Sequence, residues 1–291
     1  MIRFSDNLSG GEIMNITTET VNEFKNYLIK NDKSIYTVDK YIRDVLKFNA
    51  FVGEKDITRE LTAEYKNFLI SEGYCVTSVN SMLSSINAFF DFSDRNDLKI
   101  KTVKMQRSVY CPEDKELTRA EYQRLCTAAK MKNNSRLELI IETVCSTGIR
   151  IGELKYITVD SVKRGEAVVT LKGKTMCVFI PNKLKNKLLR YASREKIKSG
   201  MIFITRTGNA VDRTNVWRDM KKLCRDANVN AEKVFPHNLR HLFARTFYNI
   251  DKDIAKLADV LGHSSIDTTR IYIISTGAEH RKLIDKMRLI L

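Results

Sequence analysis

Proline is nearly absent: three residues in 291, Pro112, Pro181 and Pro236. With only twelve glycines, that scarcity excludes collagen-like or proline-rich linker architecture and favours helix. No apolar run approaches the ~18–20 residues that a membrane-spanning helix needs, so no membrane partner is expected. Residues 1–11 lack the basic-then-apolar pattern of a secretory signal, which predicts a cytoplasmic protein. The six cysteines contain no CxxC pair. Neither a zinc-ligand pattern nor a disulfide framework is therefore expected, and several of the cysteines read as small apolar packing groups. There are only four histidines, and no His/Asp/Glu cluster that reads as a metal site. No metal or other cofactor is expected.

What is abundant is positive charge, at a net +15. It is unevenly spread: residues 1–100 carry 12 basic and 15 acidic side chains, and the remainder carry 38 and 20. A length of 291 residues suits two domains, and the basic balance of the larger part points to a polyanionic partner.

Apolar residues at i, i+3 and i+4 predict four helices in the first hundred residues. They run at about 18–30 and 34–52, then after Thr62 and after Thr77 as N-caps. Val38, Ile42, Val45 and Leu46 are expected inward on the second. This reads as a helical domain over 14–95, followed by a basic linker over 96–116 that contains Lys99, Lys101, Lys104 and Arg107. A second domain spans 117–291, with Thr118 capping a helix and Gly148 ending another. A short helix is expected from Ile151, then strands at 167–171 and 176–180 joined by Lys172-Gly173-Lys174-Thr175. The fold class is mainly α with a small antiparallel β-sheet.

Three segments carry chemistry. In Thr147-Gly148-Ile149-Arg150-Ile151-Gly152-Glu153-Leu154, Arg150 falls at a helix start, where free N–H groups favour an anion, and Glu153 is one turn on to hold its guanidinium. In Pro236-His237-Asn238-Leu239-Arg240-His241, His237 and Arg240 share a helix face, with Leu239, Leu242 and Phe243 as the buried side. Such a pair can bind phosphate and move a proton. In Leu261-Gly262-His263-Ser264-Ser265-Ile266-Asp267-Thr268-Thr269-Arg270-Ile271-Tyr272, His263 sits in a tight turn, Ser264 and Asp267 read as a capping box, and Tyr272 follows nine residues after His263.

Taken together, the order, wording and spacing of these segments resemble the tyrosine recombinase, or phage integrase, family. The resemblance covers the second domain; the first is similar in size, position and helix content only. It implies a site-specific DNA recombinase that cuts and rejoins strands through a 3′-phosphotyrosyl bond, with neither metal nor ATP. Arg150 and Arg240 would clamp the phosphate, His263 would donate to it, and Tyr272 would be the nucleophile. Lys172 would be the general acid, with Lys174 as the alternative; His237 would assist proton transfer and Glu153 would support Arg150 from behind. The partners implied are double-stranded DNA sites and a homotetramer assembled on them, coupled by exchange of the apolar C-terminal tail. The competing activities are type IB topoisomerase-like strand passage and a DNA-binding protein that does not cut.

Overall fold

A computed structural model of the chain describes residues 16–104, 115–171, 174–272 and 285–287. The chain divides into two units, 1–107 and 108–291.

The first unit is a four-helix bundle: α1 (Thr18–Lys30), α2 (Ile35–Val52), α3 (Arg59–Ser71) and α4 (Val76–Phe92). Local chemistry sets most of its helix starts. Thr17 and Thr20 form a reciprocal capping box at α1, and the Ser34 hydroxyl accepts the Thr37 N–H at α2. Two starts differ from the sequence expectation. Helix α3 is capped by Thr58, while Thr62 lies inside the helix, its hydroxyl donating to the Arg59 carbonyl. Helix α4 begins after Cys75, with no side-chain cap, and Thr77 lies within its first turn. In both cases an earlier residue took the extended conformation that starts a helix. Leu46 was expected inward and is 49% exposed. The stripe used instead is Val38, Val45, Phe48 and Val52.

Aromatic rings fill the bundle centre, including an edge-to-face Phe24–Phe89 pair at 5.2 Å and Phe48–Tyr65 at 5.0 Å. One charged group enters this core. Asp44 is buried, and Lys40 Nζ reaches it at 2.6 Å while also donating to the Ser81 carbonyl and the Ser85 hydroxyl. Ser85 donates to the same carboxylate oxygen at 2.8 Å.

The segment expected to open the linker packs on the bundle. Leu98 and Ile100 are buried; the Asn87 side-chain amide bonds both backbone groups of Ile100, and that of Asn80 bonds both of Val103. Residues 105–114 of that segment lie outside the described residues.

The second unit is mostly helical around one large apolar core. Helices α5 (Arg119–Met131) and α6 (Ser135–Thr147) lead to the short helix expected from Ile151, a 3₁₀ helix at Ile151–Tyr156. Then come α7 (Val159–Arg164) and an antiparallel hairpin of β1 (Glu166–Leu171) and β2 (Lys174–Phe179). Leu171 pairs with Lys174, so Lys174 and Thr175 belong to β2 rather than to the connection. Lys172 lies outside the described residues. Helices α8 (Asn182–Arg194), α9 (Arg213–Ala227), α10 (Pro236–Asp251), α11 (Ile254–Leu261) and α12 (Ile266–Arg270) complete the unit. Helix α10 packs on α6 and α11, and α11 also meets β2. Among the described residues no helix is long and apolar enough to cross a membrane.

Candidate active site

Two glycines shape the site. Gly148 ends α6 in the left-handed region, at φ +67°. A Cβ there would lie 2.5 Å and 2.7 Å from the Phe243 ring and 3.0 Å from Leu261. The absent side chain thus lets the chain turn against α10 and expose the Gly148 carbonyl to Arg240. Gly262, at φ +63°, ends α11, and a Cβ there would collide with Met176 Sδ on β2. That close approach seats the turn carrying His263 against the hairpin.

Arg150 is the N-cap of the 3₁₀ helix. Glu153, 1% exposed, accepts both its backbone N–H, at 2.9 Å, and its Nη1, at 2.8 Å. The carboxylate aims a guanidinium that is itself partly exposed. Arg150, Glu153, Met176, Gly262 and His263 line one open cleft.

Arg240, expected on the face opposite the buried Leu239, Leu242 and Phe243, is itself 1% exposed. Its Nη1 donates to the Gly148 carbonyl, and its Nη2 donates to the Leu261 carbonyl at 2.7 Å and contacts His263 Nε2 at 3.0 Å. Its Nε is buried without a partner. Burial, then the charge of Arg150, depress its pKa, whereas Tyr272 and Glu153 act the other way.

Those contacts decide the state of His263. A guanidinium has only donors, so His263 Nε2 accepts from Arg240. The proton is then on Nδ1, which donates to Thr269 Oγ1 at 2.8 Å. Thr269 is fully buried in α12. Burial first, then Arg240 and Arg150, lower the His263 pKa to about 4, so the ring is neutral. The cap of α12 is Ser265, whose hydroxyl accepts the Asp267 N–H; the expected pairing of Ser264 with Asp267 is not formed.

Tyr272 follows α12 in a turn closed by its N–H on the Thr269 carbonyl. Its side chain is 5% exposed, packed with Ala244, Leu257 and Leu261 and flanked by three imidazoles. Ring-centroid distances are 4.4 Å to His241 and 5.3 Å to both His237 and His263. The hydroxyl lies 3.4 Å from His237 Nε2. Burial, Arg240 and Arg150 lower the His237 pKa, leaving that ring a neutral base at pH 7.

The fold therefore brings Arg150, Glu153, His237, Arg240, His263 and Tyr272 together. Sequence reading assigned no role to His241 or Thr269. The only signal for His241 was its i+4 spacing from His237.

Comparison with known proteins agrees with this architecture. Residues 115–279 match the phage integrase family, and residues 21–96 match the phage integrase N-terminal SAM-like domain. The tyrosine recombinase XerA of Thermococcus kodakarensis is 28% identical over 286 residues, covering 95% of this chain and 98% of that protein. A crystal structure of XerA recombinase superposes with a TM-score of 0.53 at 26% identity, covering 94% of this chain and 99% of the other. The fold is also shared, at 18% identity and a TM-score of 0.71, with the XerH recombinase in a post-cleavage complex on a palindromic difH substrate, over 94% of this chain and 89% of that one. The chain belongs to the phage integrase family. Its activity is that of a tyrosine-type site-specific recombinase, with an N-terminal SAM-like domain preceding the catalytic one.

Proposed function

We propose that Tyr272 is the nucleophile that cuts one DNA strand, and the observation that carries this is its enclosure beside His237, Arg240 and His263. A phenol of ordinary pKa is about one part in a thousand ionised at pH 7, so attack needs a base. His237 is neutral and its Nε2 is 3.4 Å from the hydroxyl, close enough to take the proton as the substrate tightens the site. The tyrosine oxygen bonds to phosphorus, the P–O5′ bond breaks, and the 5′-oxygen leaves as a hydroxyl once protonated. Lys172, which follows Leu171 in the sequence, supplies that proton; Lys174 is the alternative. The 3′-phosphotyrosyl bond keeps the phosphodiester's energy, so attack by another strand's 5′-hydroxyl reseals DNA without ATP.

Arg150 and the unpaired Nε of Arg240 hold the non-bridging oxygens and stabilise the charge that develops on them. Glu153 keeps Arg150 in place. In the DNA-free site His263 Nε2 accepts from Arg240. His263 donates to phosphate through that nitrogen only after gaining a proton there, a change that the anionic phosphate favours.

The 14–95 region acts as a core-DNA-binding domain, the part of 96–116 beyond the packed residues 98–103 as the basic linker, and 117–291 as the catalytic domain. Two duplexes with two half-sites each require four protomers, so the working form is a homotetramer on DNA, coupled by the C-terminal tail, in the cytoplasm. That tail lies outside the described residues apart from 285–287.

The test uses labelled, nicked duplexes drawn from DNA flanking the gene. The wild-type chain is expected to give an SDS-resistant, protease-sensitive adduct, and Tyr272→Phe none. Tight, salt-sensitive binding without any adduct would refute the cleavage reading in favour of a non-cutting DNA-binding protein. Recombination between two such sites, rather than relaxation of any supercoiled plasmid, separates the recombinase from a type IB topoisomerase.

A further inference from the structure

We infer that His241 is a positioning residue for Tyr272, supporting the phenol ring in the site of its own protomer; the inference rests on Tyr272 being the nucleophile. Three observations meet here. The His241 ring is the nearest of the three imidazoles to the Tyr272 ring, at 4.4 Å with an interplanar angle of 44°. It also packs edge-on against His237, 4.9 Å away at 81°, one helical turn earlier on α10. It has no hydrogen-bond role among the contacts of the site, unlike His237 at the Tyr272 hydroxyl and His263 at Arg240.

The consequence is a division of labour along one helix face. His237 meets the oxygen of Tyr272, and His241 meets its ring. Tyr272 sits just beyond α12, a helix of five residues, with one backbone hydrogen bond, to Thr269, closing its turn. Beside the imidazoles the ring packs among Ala244, Leu257 and Leu261, and its orientation depends on these contacts. An imidazole within reach of the positive charge of Arg240 serves this purpose while neutral. Burial, with His237 and Arg240 close by, lowers the His241 pKa to about 4 and keeps it uncharged. An aromatic ring without nitrogens should therefore replace it, whereas a small side chain should not.

The experiment compares wild type, His241→Ala and His241→Phe in the full chain, with Tyr272→Phe as control. Rates of covalent adduct formation and DNA affinities are measured on the same nicked duplexes. His241→Ala is expected to slow adduct formation about tenfold or more, because a misaligned reacting group loses rate steeply. Its DNA affinity should stay within about twofold, since His241 is not placed against phosphate. His241→Phe is expected to restore the rate to within about threefold.

An activity-independent readout accompanies this: nitration by tetranitromethane, mapped by mass spectrometry. Tyr272 is 5% exposed and should be slow to react, against Tyr36 at 88% as the internal reference. His241→Ala should make Tyr272 more reactive, and His241→Phe should leave it protected. An alanine variant that cuts at the wild-type rate with Tyr272 still protected would overturn the inference. So would a folded phenylalanine variant as slow as the alanine one, which would assign His241 a polar role instead. An adduct formed by Tyr272→Phe would instead defeat the nucleophile assignment, while the nitration result would still judge the packing role.

Discussion

Replacing Gly148 with alanine tests how the turn after α6 builds the phosphate clamp. Alanine at φ +67° occupies the left-handed region, which costs about 1–2 kcal/mol. Its Cβ would lie 2.5–3.0 Å from Phe243 and Leu261, whereas carbon atoms pack at about 3.5–4.0 Å. Forcing a methyl into such a contact costs about 1–3 kcal/mol. The two contributions predict a loss of about 2–5 kcal/mol. Function should fall further than stability, because Phe243 lies on α10 with His237 and Arg240, and Arg240 donates to the Gly148 carbonyl. A shift of ~1 Å there is enough to cost about a hundredfold in rate. The assay is urea unfolding followed by tryptophan fluorescence. The chain has a single tryptophan, Trp217, on α9, so the signal reports on the catalytic unit alone. Gly152→Ala is the control, because a Cβ there meets nothing within 4 Å. Its stability should match wild type to within about 0.5 kcal/mol. The reasoning is refuted if Gly148→Ala is as stable as Gly152→Ala and forms the covalent adduct at the wild-type rate.

Three further outcomes are expected. Glu153→Gln removes the charge facing Arg150 from a buried position, and should cost about 1–3 kcal/mol in the Trp217 transition. It should also slow adduct formation about tenfold while leaving DNA binding nearly unchanged. Lys40→Met strands the buried Asp44 carboxylate with the Ser85 hydroxyl, and should destabilise the N-terminal bundle by about 1–3 kcal/mol; circular dichroism should detect this while the Trp217 transition stays in place. The catalytic unit should lose stability as pH falls from 6.5 towards 4. His241 and His263 have pKa values of about 4 when folded, against 6.5 for the free side chain, so the unfolded chain binds more protons across that window. Each contributes about 1 kcal/mol after solvent screening. His241→Phe should give a shallower decline of the Trp217 midpoint over the same range, and an unchanged slope would contradict the assignment.

Much of the architecture was legible from short-range signals. The boundaries of α1 and α5 follow from Thr17 and Thr118, whose hydroxyls accept N–H groups three residues on. Gly148 and Gly262 mark helix ends, and Pro236 a helix start, because each fits a backbone geometry that other residues resist. The caps expected at Thr62 and Ser264 are instead supplied by Thr58 and Ser265. The choice there depended on which residue the packed helix left extended.

The sequence by itself determined the four N-terminal helices, α5, α6, the β-hairpin and the motifs containing Arg150, His237, Arg240, His263 and Tyr272, because caps and periodicity act over a few residues. Tertiary structure decided what those residues are to one another. Arg240 is buried because the carbonyls of Gly148 and Leu261, 92 and 21 residues away in sequence, converge on it. The His263 tautomer follows from that burial, since an arginine can only donate. His241 became visible only when α12 brought Tyr272 back onto α10. Such meetings are set by how helices pack across the core, and no local pattern encodes them.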